Sequence, residues 1–114
     1  MIYQVYQLKI ARQVYDYVNE VGHAEAAVKY PEWKVSMDVR FQGSAKWESS
    51  MFQYYKPVCE IDASDLDQVF QIGNIGPEEK ITRLDRMHSV SVGDIIKNSD
   101  GELYMVDDFG FSKI

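Results

Sequence analysis

The last third of the chain constrains the fold more than any other stretch. Met87–Lys97 supplies Val90, Val92, Ile95 and Ile96, and Leu103-Tyr104-Met105-Val106 supplies a second apolar run. β-Branched side chains sit well on a pleated, half-buried surface. Between the runs stands Asn98-Ser99-Asp100-Gly101. Asp-Gly in that place is a strong hairpin signal, because glycine takes the positive φ that a tight turn needs. Gly93-Asp94 reads as a turn launching the first strand. Gly110, between Phe109 and Phe111, reads as a bulge or a close backbone approach in a closing strand. All three glycines are explained by backbone geometry without any chemistry.

A chain of 114 residues implies one domain. Its hydrophobic share of 46% is enough for a real core. Eight tyrosines suit ordinary strands, where the ring covers area and the hydroxyl stays wet. The one cysteine, Cys59, excludes an internal disulfide and a multi-cysteine zinc site. Its apolar neighbours mark it as a small buried hydrophobe, and the expected setting is a reducing cytoplasm. Met1–Tyr6 has no basic region before an apolar core, and no apolar run approaches the ~20 residues of a membrane span. No membrane partner is expected.

The net charge of −6 is unevenly spread. Residues 58–114 hold five Lys/Arg against twelve Asp/Glu, whereas residues 1–57 are nearly balanced. An acidic half disfavours a phosphate backbone, which is bound by Lys and Arg. It suits a basic protein partner or plain solubility.

Residues 2–8 read as a first strand, and 13–18 fit a second strand or the approach to a helix. A helix is expected over 19–30, with Asn19 as N-cap, Val21, Ala24 and Val28 on one face, and Pro31 as its stop. His23 has no partner at ligand spacing and reads as a surface histidine. Residues 32–42 show the clearest period-two pattern in the chain: Trp33, Val35, Met37, Val39 and Phe41 alternate with polar residues. That pattern predicts an amphipathic strand, followed by a loop over 42–46. Residues 51–61 predict another strand, at an edge or bent where Pro57 lacks its N–H. A second helix is expected over 62–72, capped by Asp62 or Ser64, burying Leu66, Val69 and Phe70, and ended by Gly73-Asn74. Gly76-Pro77-Glu78-Glu79 resembles a further helix start, with Ile81 and Leu84 as its buried residues. Arg83, Arg86 and His88 form the one basic cluster of the second half, too small for a nucleic-acid site. The expected fold is α+β: a mostly antiparallel twisted sheet of five or six strands, with two or three short helices covering one face.

Catalytic motifs are missing. The chain has no phosphate-binding loop, no Rossmann glycines, no HExxH and no nucleophile elbow. Asp108-Phe109-Gly110 spells the kinase metal-binding tripeptide, but the rest of that machinery does not fit in 114 residues. Glu60, Asp62, Asp65 and Asp67 lack calcium-loop spacing and read as a solvated helix start. Cys59, His23 and His88 with an aspartate have no local catalytic signature. The chain is therefore expected to be no enzyme and to carry no cofactor or metal.

The stretch His88-Ser89-Val90-Ser91-Val92-Gly93-Asp94-Ile95-Ile96, followed by Tyr104-Met105-Val106-Asp107-Asp108-Phe109-Gly110-Phe111, resembles the C-terminal signature of the YodL-like domain family. Members tend to read His-Ser-Leu-Ser-Val-Ser-Asp-Val-Val and then Tyr-Val-Asp-Ser-Phe-Gly-Phe. The helix with Leu66, Phe70 and Asn74 fits the segment before that signature, and Tyr6-Gln7-Leu8 echoes the family's start. The specific match covers about a quarter of the chain, with Gly93 where serine is common and Val90 in place of leucine. The resemblance implies a small accessory protein of a phage or mobile element, and it carries no catalytic residues.

Two functions follow as expectations. One is a non-catalytic accessory protein that binds a host or viral protein through Ser89, Ser91, Asp94, Asp107, Asp108, Phe109 and Phe111, where polar groups flank aromatics. The same residues can also serve only to close the sheet. The other is a nucleic-acid-associated module reading through a curved sheet and exposed aromatics.

Overall fold

The structure is a computed structural model and describes residues 1–114. It is α+β, built on one six-stranded sheet. In chain order, β1 is Ile2–Leu8, α1 Arg12–Val21, α2 His23–Lys29, α3 Pro31–Gln42, β2 Tyr55–Asp62, α4 Leu66–Ile75, β3 Ile81–Arg83, β4 Ile95–Lys97, β5 Leu103–Val106 and β6 Phe111–Lys113. The sheet order is β3-β2-β1-β4-β5-β6, and every neighbouring pair is antiparallel. No helix is long and apolar enough to cross a membrane.

Both faces of the sheet are covered, not one. The register sets Val5 opposite Ile96 and Tyr6 opposite Ile95, so the two residues of each strand point to opposite sides. On one side Tyr3, Val5, Ile61 and Ile96 meet Val69 and Ile72 of α4. On the other, Ile95 and Met105 meet Val35 and Val39 of α3, with Trp47, Phe52 and Tyr55 completing the group. A third cluster, Val14, Val18, Ala26 and Trp33, joins α1, α2 and α3 into a helical lobe. Burying each such Val or Ile removes enough apolar surface from water to contribute about 1.5–3 kcal/mol.

The alternation over residues 32–42 belongs to a helix. Alternate residues of a helix lie about 200° apart, so a helix buried on two opposite sides mimics period two. In α3, Trp33 and Met37 face the helical lobe while Val35 and Val39 face the sheet. Pro31 stands in the first turn of α3, where its missing N–H costs nothing, and so begins this helix as well as ending the one before. Phe41, the last member of the pattern, is 78% exposed.

Four helices and three short 3-10 turns replace the two or three helices expected. The helix expected over 19–30 is two, because the chain breaks at Gly22, which holds φ 89°. Asn19 lies inside α1, whose start at Arg12 settles residues 13–18 as helix. Ala26 is buried and Val28 is 88% exposed, since the break rotates α2 away from the predicted face. Gly43–Lys46 and Ser49–Tyr54 are 3-10 turns, and the strand predicted over 51–61 begins only at Tyr55. Asp65 caps α4 by accepting the Gln68 N–H at 2.8 Å, and the helix runs past Asn74 to Ile75, with Gly76 as its C-cap. Phe70 stays 39% exposed on its border. The helix expected after Gly76 is a single 3-10 turn at Glu78–Lys80 leading into β3, and Leu84 is half exposed.

Pro57 stands opposite Tyr6 beside a register shift in β1–β2 and beyond the three residues of β2 that pair with β3, so the strand is irregular there and unpaired on its β3 side. Asn98–Gly101 forms the expected hairpin turn, with Asn98 Oδ1 accepting the Asp100 and Glu102 N–H groups. Residues 88–94 are loop, although Val90 is buried in the core. Gly110 closes a four-residue turn between β5 and β6, not a bulge.

Gly73 lets α4 lie against that loop. A Cβ at this position would stand 2.3 Å from Val90 Cγ2, and Val90 is only 1% exposed. Helix propensity favours alanine over glycine by about 1 kcal/mol. Overpacking a stiff buried valine costs typically ~1–3 kcal/mol on top of reversing that gain. Gly73→Ala is therefore expected to lower stability in urea unfolding, and Val90→Ala to cost less when added to it than in wild type. A Gly73→Ala protein more stable than wild type would show that the contact yields.

Candidate functional site

The seven candidate residues fall in three places. Ser89 lines a cleft of 320 Å³ between the end of α4 and the Met87–Ser89 segment. Ser91 and Asp94 line a narrow space of 60 Å³ with Arg40, Tyr15 and His88. Asp107, Asp108 and Phe111 line a cleft of 200 Å³ with Phe70 and Asp67 of α4, and Phe109 stands beside it.

The first two places are mostly framework. Asp94 is 4% exposed. Its Oδ2 accepts the Gln7 Nε2 at 2.9 Å and the Ser91 backbone N–H at 3.0 Å. Gln7, itself 1% exposed, also donates to the His88 carbonyl at 3.0 Å. His88 Nδ1 lies 2.7 Å from the Ser89 carbonyl and 3.2 Å from the Gln7 amide nitrogen. Tyr55 donates its hydroxyl to the Gly93 carbonyl at 2.5 Å. This network ties the 88–94 loop to β1 and β2. Ser91, His88 and Asp94 do not form a nucleophile relay, because Asp94 reaches the backbone of Ser91 and makes no hydrogen bond to the imidazole. Cys59 lies fully buried, and burial pushes its thiol up to about 11, away from the thiolate a nucleophile needs. His23, exposed as expected, stacks on Trp33 at 5.6 Å. No group of three His, Cys, Asp or Glu side chains converges as a metal site.

The third place is built differently. Asp107 accepts the Ser44 N–H at 2.9 Å, the Ser44 hydroxyl at 2.8 Å and the Ser112 hydroxyl. Partial burial pushes this carboxyl up, but those donors outweigh it and hold it below its ordinary value. Gly43 is required here, since a Cβ would sit 2.3 Å from Asp107 Oδ1. The Asp107 N–H closes the turn on the Gly110 carbonyl at 2.9 Å. The outcome is a short turn braced from the α3 side, with Asp108 in solvent and Phe109 97% exposed at its tip. Phe111 turns back and packs on the core.

Beyond Asp67 lies a larger cleft of 420 Å³, lined by Tyr3, Leu66, Tyr104, Asp65 and Asn98, and again by Asp67 and Phe111. The two clefts share those last two residues and form one groove. No Lys or Arg lines it. Asp67, Phe70, Tyr3 and Tyr104 were not among the sequence candidates. Phe70 was in view only as an expected buried residue of α4, and its 39% exposure comes from the fold. Tyr3 and Tyr104 are brought together only by the pairing of β1, β4 and β5.

No family model, no curated protein and no solved structure matches this chain.

Asp94 yields a pH test. Burial raises its carboxyl to about 6, against the lowering effects of the Ser91 N–H, Gln7, His88 and Arg40. The folded state then holds a proton that the unfolded chain releases near the ordinary aspartate value. Between about pH 4 and pH 6 the folded state binds more protons, so this group's contribution to stability falls as pH rises. The full effect is up to about 3 kcal/mol. Asp94→Asn keeps an acceptor for Ser91 and Gln7 and removes the titration. The stability gap between variant and wild type is expected to widen in the variant's favour from pH 4 to pH 7, read from urea midpoints. Taking the difference cancels Asp85, Glu102 and Asp107, whose lowered pKa values act in the opposite direction. A gap that closes as pH rises would mean that Asp94 is held ionised.

Proposed function

We propose that this chain is a non-catalytic accessory protein that binds another protein, host or viral, through the Asp107–Phe111 turn. The observation that carries the reading is Phe109. A phenylalanine 97% exposed on a turn whose base is held by four hydrogen bonds is an aromatic anchor already placed for a partner. Anchors of this kind dominate binding energy when they enter a partner's pocket, and a braced turn loses little entropy on docking. The resemblance of residues 88–111 to the YodL-like signature supports a phage or mobile-element setting, and with it the cytoplasm of a bacterial host. The nucleic-acid alternative is weaker, because the groove beside Phe109 has carboxylates and no cation to meet phosphate.

The test is capture of partners from bacterial lysate by tagged wild type, Phe109→Ser and Val28→Ser. Val28 is 88% exposed on α2 and serves as the control for loss of an exposed apolar side chain. Both variants should unfold within about 0.5 kcal/mol of wild type, as surface changes do. A partner held by wild type and Val28→Ser should lose at least ~2 kcal/mol of affinity with Phe109→Ser. Partners held equally by all three proteins would remove the turn as the binding site.

A further inference from the structure

The groove beside the turn specifies what kind of partner it fits. Its two clefts measure 420 and 200 Å³ and meet at Asp67 and Phe111. The floor and walls offer the rings of Tyr3, Tyr104, Phe70 and Phe111. Four carboxylates stand around them: Asp65, Asp67, Asp107 and Asp108. Two of these are already engaged, Asp65 with the Gln68 N–H and Asp107 with Ser44 and Ser112. Asp67 and Asp108 are exposed and make no hydrogen bond or ion pair within the chain. Lys113, opposite Tyr104 on β6, is paired with Glu102.

We infer that this groove docks a protein segment in which Lys or Arg side chains flank an aromatic or aliphatic one. The inference rests on the binding role of the Asp107–Phe111 turn and states the chemistry of its partner. The apolar side chain enters between Phe70, Phe111 and Tyr104, while the flanking cations meet Asp67 and Asp108. Aromatic faces in the groove add cation–π attraction to the same cations. The acidic second half of the chain raises the encounter rate with such a segment and repels acidic competitors. A nucleic acid or an anionic membrane would be repelled by the same charges.

The experiment is selection of a random peptide library displayed on phage against folded wild type, with Asp67→Lys/Asp108→Lys as the counter-target. Enriched sequences should place Lys or Arg next to an aromatic or aliphatic residue. Synthetic versions should bind wild type at least ten times more tightly than the double variant, and should weaken as salt is raised. A neutral or acidic consensus, an absence of enrichment, or equal affinity for the double variant would overturn the inference. Phe109→Ser separates the two levels of the argument. Peptides without cations that still depend on Phe109 would sink the partner chemistry and leave the turn as a binding site. Peptides indifferent to Phe109 and to both aspartates would remove the site altogether.

Discussion

A buried carboxylate is the constraint on which the second half of this protein rests. Asp94 has been drawn out of water to 4% exposure with only neutral donors in contact, the amide of Gln7 and the N–H of Ser91. Burying such a group is costly unless each polar contact is made. Gln7 meets that demand from the C-terminal end of β1, and through the His88 carbonyl it also fixes the start of the loop. The loop then places Val90 in the core under Gly73 and delivers Ile95 and Ile96 to the sheet in a single register. A slip of one residue would send both isoleucines to the wrong faces.

Asp107 plays the matching part at the other end of the same unit. It joins the β5–β6 turn to Ser44, in the 3-10 turn after α3, so the helical side of the molecule braces a loop on its far edge. The two aspartates explain why the residues of the 88–111 stretch divide so sharply. His88, Ser91, Asp94 and Asp107 spend their polar atoms or backbone inside the protein. Asp108 and Phe109 face solvent. Exposed and framework residues interleave within one stretch.

The sequence was legible where local chemistry decides. Asn98-Ser99-Asp100-Gly101 announced its hairpin, β1 was readable from Ile2 to Leu8, and Cys59 from its apolar neighbours. It misled where tertiary burial decides. The alternation from Trp33 to Phe41 arises from a helix squeezed between the lobe and the sheet, and no count of periodicity distinguishes that from a strand. Gly22 interrupts a region with good helix formers on both sides, and its positive φ leaves no mark beyond the residue itself. The candidate site was half legible. Asp108, Phe109 and Phe111 were in view, but Asp67, Phe70, Tyr3 and Tyr104 come from elements that only the fold brings alongside. Gln7 and Ser44, which hold the site's two flanks, are more than sixty residues from the aspartates they serve.

The hydrogen bonds at its base should keep the Asp107–Gly110 turn rigid before any partner arrives. Backbone nitrogen relaxation of the free protein tests it without knowing the partner. Order parameters through Asp107–Gly110 should match those of β5, near the ~0.85 typical of rigid backbone. Values below about 0.6 across the turn would contradict the account, because Phe109 would then be a side chain on a loose loop and not a placed anchor.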